Sequence, residues 1–298
     1  MSTEHSIRTL LSASPLAPNE ARILLSHVLD KHYQLSRSAL LSKDDLVLDP
    51  RALSDWKILE SKRLAGEPVA YLIGKKGFHA IELTVAPGVL IPRPETELLV
   101  DIALDAIKTV AEPIHVLDLG TGSGAIALAI AHSANHTALT ATDQSLEALE
   151  IAQQNARNLQ LDTRVNFKQG SWYQAFEANA LFDVIVSNPP YIAKGDIHLA
   201  QGDLRFEPQS ALTDDLDGLS CLKAIIFGAN AHLKPKGLIA VEHGFDQGKA
   251  VMAMMVEAGF RDIQNHADLA GHPRVSTCLL YTSPSPRDRT RSRMPSSA

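Results

Sequence analysis

The sequence predicts an α/β protein in which a small helical domain precedes a doubly wound, mainly parallel sheet. Three observations support this prediction. From about residue 114 onwards, short apolar strand patterns alternate with helical patterns, which is typical of strands joined by crossover helices. A glycine-rich turn, Gly120-Thr121-Gly122-Ser123-Gly124, joins the first of these strands to its helix. The tetrapeptide Asn188-Pro189-Pro190-Tyr191 follows another apolar run, at the edge where such sheets bind ligands.

The length and composition are those of a globular protein with room for two domains. The chain has 298 residues, of which 45% are hydrophobic and 21% are charged. No apolar run reaches the roughly 18 residues that would indicate a membrane span, and Glu4, His5 and Arg8 interrupt any signal-peptide core. Cys221 and Cys278 lie far apart, and the histidines lack metal-binding spacing. We therefore expect a cytoplasmic, monomeric protein with reduced thiols and no metal.

The charge is distributed unevenly along the chain. The formal net charge is −6, so the body offers no broad basic surface for nucleic acid. The last stretch, residues 282–298, is rich in serine and proline and basic overall, which is typical of a disordered arm. The segment 279–288 also resembles a translated sequencing adapter. We favour that artefactual origin and leave the tail out of the fold prediction.

Residues 1–85 are predicted to form the helical domain, as a bundle of three to five short helices. One helix should begin behind Asn19, a candidate N-cap that precedes apolar residues at helical spacing. A second is predicted over 53–64, with Ser54 as its candidate cap. The segment 69–85 contains glycines between apolar residues and is predicted to be a hairpin-like connection.

Residues 113–281 are predicted to form the larger domain, after a linker that ends near residue 112. Its strands are short apolar runs, and its helices are longer amphipathic segments. In chain order we predict a strand at 115–118, a helix opening at 125–131, a strand at 138–143, a helix at 146–159, strands at 165–167 and 182–186, a helix at 219–232, a strand at 238–242, a helix at 247–258, and two terminal strands near Asp262 and Thr277.

The glycine-rich turn predicts a nucleotide cofactor site. Glycine at 120, 122 and 124 permits a tight turn and a close approach of the backbone to a ligand. Asp143, at the end of the second strand, would bind a ribose hydroxyl pair. A P-loop is unsupported, since no Gly-Lys-Ser/Thr follows. Because Gly120, Gly122 and Ala125 also satisfy the dinucleotide fingerprint, the turn by itself fits NAD or S-adenosylmethionine almost equally.

The tetrapeptide favours S-adenosylmethionine over NAD. Two successive prolines fix the backbone and remove two donors, which leaves an edge of acceptors formed by the Asn188 side-chain oxygen and nearby carbonyls. Such an edge can hold an NH2 group by both hydrogens while the nitrogen lone pair stays exposed. Asn-Pro and Pro-Pro also occur in ordinary turns that end strands. Methyl transfer to a planar nitrogen needs this clamp, however, whereas a dehydrogenase does not.

Together the two motifs resemble those of class I S-adenosylmethionine-dependent methyltransferases, and the wider chain is similar to the HemK/PrmC family. The similarity covers about residues 10–280 and rests further on the segments 66–74, 91–97 and 205–208. The resemblance implies methylation of the glutamine side-chain amide (N5) in the Gly-Gly-Gln loop of peptide chain release factors. It also implies that the outer face of the helical domain recognises this protein substrate.

The resemblance also implies a role for each motif. The turn from Gly120 to Gly124 would cradle the methionine part of the cofactor, Asp143 would hold its ribose, and Trp172 would lie beside its adenine. Ser171 departs from the family pattern, which has an acidic residue there, so the corresponding adenine contact is not expected. Asn188 would contact both cofactor and substrate, and the glutamine pocket would be completed by Pro189, Pro190 and Tyr191.

Two further groups of polar residues have alternative interpretations. Arg93, Glu95 and Glu97 would either form an interdomain lid, which the resemblance favours, or cap a helix after Pro94. Glu242 and His243, at the end of the fifth strand, would act as an acid/base pair or, as we prefer, serve a structural role or line the pocket.

Other functions stay open at this point. A close relative would modify a glutamine of a ribosomal protein. An adenine-N6 nucleic-acid methyltransferase uses a similar tetrapeptide, but its substrate would require a basic face. An NAD oxidoreductase or a nonenzymatic binding domain is a more remote alternative, and the intact glycine-rich turn argues against the latter.

Overall fold

The N-terminal region is helical and ends in a hairpin. The computed structural model describes residues 4–108, 113–177 and 179–281; the predicted tail at 282–298 lies outside them. The N-terminal elements are α1 (Ile7–Ala13), α2 (Pro18–Tyr33), α3 (Ala39–Ser42), α4 (Pro50–Leu64), α5 (Val69–Ile73), β1 (Lys75–Phe78) and β2 (Ile81–Thr84).

The apolar faces of these helices share one core. Leu24, Leu25 and Leu29 of α2 are fully buried and belong to the same cluster as Trp56 of α4. The spacing of the α2 leucines places them on one face of the helix, as the sequence predicted. Burying this apolar stripe is what stabilises helices that are too short to persist alone in water.

Two predicted helix caps in this region were wrong. Helix α2 begins at Pro18, and its N-cap Ala17 makes no side-chain hydrogen bond; Asn19 lies inside the first turn. Helix α4 begins at Pro50, and Asp49 caps it by accepting from the backbone N–H of Arg51 and Ala52, so Ser54 is an internal residue. In both helices a proline occupies the first turn, where its missing N–H costs no intrahelical bond.

The hairpin predicted over 69–85 is confirmed only for the second part of this segment. Its first five residues form α5, which ends at Gly74 with a left-handed φ of 70°. Only β1 and β2 form the predicted hairpin, with Lys75 paired to Thr84. Glycine ends the helix because it adopts this backbone conformation without a Cβ penalty.

The larger region is a seven-stranded sheet in the order β5-β4-β3-β6-β7-β9-β8. All neighbouring pairs are parallel except those that involve β9, which is antiparallel to both of its neighbours. The predicted mainly parallel sheet is therefore confirmed. Its elements are α6 (Glu97–Ile107), β3 (Ile114–Leu119), α7 (Ala125–Ser133), β4 (Thr137–Asp143), α8 (Leu146–Asn158), β5 (Val165–Gln169), β6 (Phe182–Ser187), α9 (Ser220–Ala229), β7 (Leu233–Glu242), α10 (Gly248–Glu257), β8 (Arg261–Ala267) and β9 (Pro273–Leu279).

Helices cover both faces of this sheet. Residues of α6, α7 and α8 pack on one face, and residues of α9 and α10 pack on the other. The inner strands β3 and β6 are consequently buried on both faces and are almost continuously apolar, as parallel strands require. No helix in the described part of the chain combines the length and apolar character needed to cross a membrane.

The strand register brings several chain segments together at one edge. Leu119 of β3 is paired with both Thr142 of β4 and Ser187 of β6, and Ser187 is paired with Val241 of β7. Since parallel strands all end at the same edge, the residues that follow emerge side by side. These residues are Gly120, Asp143, Asn188 and Glu242.

Candidate active site

A cavity of about 320 Å³ opens at this edge of the sheet. Its position beyond the carboxyl ends of the central strands is where open α/β sheets bind ligands. Its size lies at the lower end of the range for small-molecule sites. The predicted site residues that line it are Gly120, Thr121, Gly122, Ser123, Asp143, Trp172, Asn188 and Pro190; those that do not are Gly124, Pro189 and Tyr191.

The glycine-rich turn needs glycine for two different reasons. Gly120, Gly122 and Gly124 all have positive φ, at 72°, 56° and 84°. A Cβ on Gly122, which lines the cavity, would meet no protein atom within 4 Å, so its absence leaves room for a ligand. A Cβ on Gly124 would instead stand 2.9 Å from Leu128 Cδ1 and 3.2 Å from Ala152 Cβ. Gly124 thus serves helix packing.

Asp118 supports the turn from beneath and was not assigned a role by the sequence analysis. Its Oδ2 accepts from Thr121 Oγ1 at 2.6 Å and from the Ala127 N–H at 3.3 Å. The side chain is fully buried, and this burial raises the pKa of Asp118 to about 7. The available signal was a carboxylate two residues before the glycine-rich turn, inside an otherwise apolar strand.

Asp143 holds the turn from the neighbouring strand. One carboxylate oxygen accepts from the Gly122 N–H and the other from the Ser145 N–H, both at 2.9 Å. Burial raises the pKa of Asp143. Each carboxylate oxygen can accept a second hydrogen bond, so these two bonds leave Asp143 able to receive hydroxyl donors from the cavity that it lines.

Asn188 is oriented by a residue far away in sequence. Its Nδ2 donates to Thr96 Oγ1 at 3.1 Å. No described group of the protein donates to Asn188 Oδ1. Ser187, the preceding residue, fixes the end of β6 by donating to the Leu119 carbonyl of β3 at 2.7 Å. The acceptor predicted at Asn188 is therefore available at the cavity wall.

Of the other three tetrapeptide residues, one lines the cavity and two do not. Pro190 lines the cavity, whereas Pro189 is buried behind it. The Tyr191 hydroxyl donates to Glu242 Oε1 at 3.1 Å, and its carbonyl accepts from Gln247 Nε2 at 2.9 Å. The predicted contact of Tyr191 with a substrate amide stays a prediction.

Glu242 and His243 are buried, at 1% and 0% exposure, and neither lines the cavity. His243 Nε2 lies 2.9 Å from Ser276 Oγ, and its Nδ1 lies 2.8 Å from the Gly244 carbonyl. Burial lowers the pKa of His243 and raises that of Glu242 to about 7. Since neither side chain lines the cavity, the structural role that we prefer for both residues stays the prediction.

Arg93 joins two segments that wall the cavity. Its guanidinium pairs with Glu207 Oε1, and Glu207 Oε2 accepts from the Ile91 N–H at 3.1 Å. The Glu207 side chain is fully buried. Arg93 and Pro208 both line the cavity, so this pair connects the segment before α6 to the loop after β6. The lid interpretation remains a proposal for Arg93.

Glu97 lies in the first turn of α6 and makes a contact that neither alternative predicted. Its carboxylate accepts from the His79 N–H at 2.8 Å and so attaches α6 to the hairpin turn between β1 and β2. Pro94 does begin a helical turn, which spans Pro94–Thr96 and leads into α6. Among the described residues, no cluster of three or more histidine, cysteine or acidic side chains is arranged to hold a metal ion.

Comparison with known proteins agrees with the fold and the motifs. A family model described as "Methyltransferase small domain" matches residues 96–205, and one described as "PrmC N-terminal domain" matches residues 4–74. A solved methyltransferase from Pyrococcus furiosus, 19% identical, has a TM-score of 0.50 and covers 75% of this chain and 98% of its own. At that identity the likeness shows the fold alone.

Curated relatives show the family. The release factor glutamine methyltransferase of Burkholderia pseudomallei is 48% identical over 271 residues, which cover 90% of this chain and 93% of the relative. The enzyme of the same description from Bordetella pertussis is 48% identical over 270 residues and covers 91% of this chain and 97% of its own. Similarity of this extent includes both the helical region and the sheet. The chain belongs to the release factor glutamine methyltransferase family.

Proposed function

We propose that this protein transfers a methyl group from S-adenosylmethionine to the side-chain amide nitrogen (N5) of a glutamine in peptide chain release factors. The observation that carries the proposal is the orientation of Asn188 at the cavity wall. Its nitrogen is engaged by Thr96, and its oxygen is left to accept a hydrogen bond. This is the arrangement needed to hold an NH2 group beside a cofactor site.

The residues that line the cavity suit the chemistry of the cofactor. Gly120 and Gly122 expose backbone without side chains, Asp143 offers carboxylate oxygens for ribose hydroxyls, and Trp172 offers an aromatic face for adenine. When bound, the cofactor supplies an electrophilic methyl group on a positively charged sulfur. Ser171 also lines the cavity and cannot accept as a carboxylate would, so the adenine side depends more on Trp172.

An amide nitrogen is a weak nucleophile because it shares its lone pair with the carbonyl. Asn188 Oδ1 and the Pro189 carbonyl would each accept one N–H of the glutamine amide, which fixes the nitrogen towards the methyl group. Catalysis by these residues is then mainly orientation and electrostatics. No strong base is needed before attack, since the positive charge on sulfur disappears during transfer and the proton leaves afterwards to water.

The helical region, predicted as residues 1–85, would recognise the protein substrate together with the loop after β6. Arg63 of α4 connects the two parts: it donates to Glu20 of α2 at 2.8 Å and to Asp203 of the loop at 3.0 Å. Arg205 also donates to the Ala65 carbonyl at 3.2 Å. A protein docked on the helices would therefore lie beside the loop that walls the cavity. We further propose that the enzyme acts as a cytoplasmic monomer.

A ribosomal-protein glutamine is the second candidate substrate, because the same clamp would hold it. The decisive experiment incubates the protein with methyl-labelled S-adenosylmethionine and either a release factor or ribosomal proteins, and then locates the label by peptide mass spectrometry. We expect label on the glutamine of the release-factor Gly-Gly-Gln loop. Label confined to ribosomal protein or to nucleic acid would contradict the proposal.

The Asn188→Ala variant tests the clamp within the same assay. We expect turnover to fall by at least about a hundredfold because the amide is no longer oriented, while cofactor affinity falls much less. Near-normal turnover by this variant would exclude Asn188 as the acceptor that holds the substrate amide.

A further inference from the structure

We propose that Tyr71 of α5 is a positioning residue for the cofactor site, which acts through the backbone of residues 86–93, here named the wall segment. The inference rests on the proposed binding of S-adenosylmethionine and extends it to a residue outside both the glycine-rich turn and the tetrapeptide. The Tyr71 hydroxyl donates to the Val89 carbonyl at 2.6 Å, and this hydrogen bond is buried. Only 9% of Tyr71 and 1% of Val89 are exposed.

The wall segment forms part of the cavity. It runs between β2 and the helical turn Pro94–Thr96 as an irregular loop. Such a loop does not have the repeated hydrogen bonds of a helix or a strand, so its shape depends on a few individual contacts. The residues of the wall segment that line the cavity are Gly88, Val89, Leu90, Pro92 and Arg93.

Side chains from two other parts of the chain hold the backbone of the wall segment. Tyr71 of the helical region donates to the Val89 carbonyl, and Glu207 of the loop after β6 accepts from the Ile91 N–H at 3.1 Å. Burial, together with the nearby Glu207 carboxylate, raises the pKa of Tyr71. The hydroxyl therefore keeps the proton that it donates. The helical region and the sheet region thus each fix one point of the same short loop.

Tyr71 fixes the part of the wall segment that lies closest to α8. Its side chain belongs to a buried cluster with Val89, Ile91 and Ala148. Ala148 lies in the first turn of α8 and lines the cavity, as Val89 does. The N-cap residue of α8 donates its backbone N–H to Asp143, the carboxylate proposed to bind the cofactor ribose. Val89 is therefore held at the ribose side of the cavity.

The Tyr71→Phe variant removes this hydrogen bond and leaves the ring in the cluster. The Val89 carbonyl is then buried without its donor, which favours displaced conformations of the wall segment. Cofactor binding must select the original conformation from this ensemble, so the apparent affinity falls. Since the wall segment contacts the cofactor in the same way before and during methyl transfer, the rate at saturating cofactor should not fall with it.

Calorimetry and steady-state kinetics measure this separation. We expect Tyr71→Phe to bind S-adenosylmethionine about three- to tenfold more weakly than the wild type does. Affinity for S-adenosylhomocysteine, which lacks the transferred methyl group, should fall by the same factor. At saturating cofactor, kcat and the KM for a release factor should change by less than about twofold.

Tyr33→Phe is the matched control. The Tyr33 hydroxyl also belongs to the helical region and donates to Asp49 Oδ2 at 2.8 Å, but Tyr33 does not line the cavity and is not part of the Tyr71 cluster. Its loss removes a hydrogen bond from the same region without touching the wall segment. We expect Tyr33→Phe to keep the wild-type affinity for both ligands.

Hydrogen exchange of the ligand-free protein, followed by mass spectrometry, locates the effect. Peptides that cover residues 86–93 should exchange at least about threefold faster in Tyr71→Phe than in the wild type, while β3 and β6 exchange at the wild-type rate. Tyr33→Phe should leave the exchange of residues 86–93 unchanged.

Three results would overturn the role of Tyr71. They are a wild-type cofactor affinity in Tyr71→Phe, a lowered kcat at unchanged affinity, and faster exchange that extends through the whole sheet. The last two are the signatures of a general loss of structure. Failure of the wild type to methylate a release factor would overturn the proposed function alone, because the binding and exchange measurements need no protein substrate.

Discussion

The indole of Trp172 lies against the α-carbon of Gly120, so that a Cβ added at Gly120 would stand 3.4 Å from Trp172 Cζ3. Gly120 follows β3 and Trp172 follows β5, two strands away in the sheet. Both residues have positive φ, at 72° and 50°. This backbone conformation is unusual for a tryptophan and costs about 1–3 kcal/mol where the surroundings impose it. The glycine and the ring together form one wall of the cavity.

The Gly120→Ala variant should bind the cofactor less tightly. A side chain at positive φ costs roughly 1–2 kcal/mol of stability, and the new methyl group would occupy space at the cavity wall, in van der Waals contact with the Trp172 ring. Gly74→Ala is a matched control, because Gly74 has nearly the same φ, 70°, and a Cβ there would meet nothing within 4 Å. Both variants should lose similar stability in urea unfolding. If calorimetry gives the same cofactor dissociation constant for Gly120→Ala and Gly74→Ala, the contact between residue 120 and Trp172 is unimportant for binding.

Tryptophan fluorescence should report directly on cofactor binding. The chain has two tryptophans: Trp56 is 2% exposed in the helical core, and Trp172 lines the cavity. Titration with S-adenosylmethionine should change the emission of the wild type and of Trp56→Phe, but not that of Trp172→Phe. If the emission of Trp172→Phe still changes during the titration, the adenine does not lie beside Trp172.

The Glu207→Ala variant should loosen the segments that wall the cavity. It leaves the Arg93 guanidinium and the Ile91 N–H without their buried acceptor, which we expect to cost about 1–3 kcal/mol. Because both connected segments line the cavity, cofactor affinity should also fall. Arg8→Ala, which removes an exposed ion pair with Asp44, is the control and should cost less than about 1 kcal/mol. If Glu207→Ala and Arg8→Ala lose a comparable free energy of unfolding, this would argue against Glu207 as the residue that connects the two segments.

Stability should depend on pH through two buried carboxyl groups. Burial raises the pKa of Asp118 and of Glu242 to about 7 in the folded protein. Between their ordinary values near pH 4 and about 7, the folded state therefore binds more protons than the unfolded chain. The contribution of these two groups to the free energy of unfolding should consequently fall as the pH rises through this window, by up to about 1.4 kcal/mol per pH unit for each group.

Urea unfolding at several pH values between 4.5 and 7.5 measures this dependence. Asp118→Asn and Glu242→Gln should each make the free energy of unfolding fall less steeply with pH, since neither substituted side chain titrates. Burial also raises the pKa of Asp143 and Glu207, which adds to this fall, and lowers the pKa of His27, His243 and His266, which opposes it. The test is therefore the difference between each variant and the wild type, and a pH dependence that is unchanged in both variants would refute the assignment.

Local pattern in the sequence determined most of the fold. The alternation of apolar strands and amphipathic helices predicted the parallel sheet, because burial on both faces dictates strand composition directly. The glycine-rich turn and the tetrapeptide were recognisable because each requires unusual residues in direct succession. The helix starts were less predictable: each helix begins with a proline ahead of the expected cap, and α4 is capped by Asp49 instead of Ser54.

The tertiary structure decided which residues surround the reactive position and which support it. Gly124 and Tyr191 belong to the motifs, yet Gly124 serves helix packing and the Tyr191 hydroxyl makes a partly buried hydrogen bond to Glu242. Asn188 meets Thr96 across 92 positions of sequence. Such a pairing depends on strand register and helix packing, which arise only when distant segments are buried together. The sequence by itself determined the kinds of chemistry present, and the packed sheet decided which atoms face the cavity.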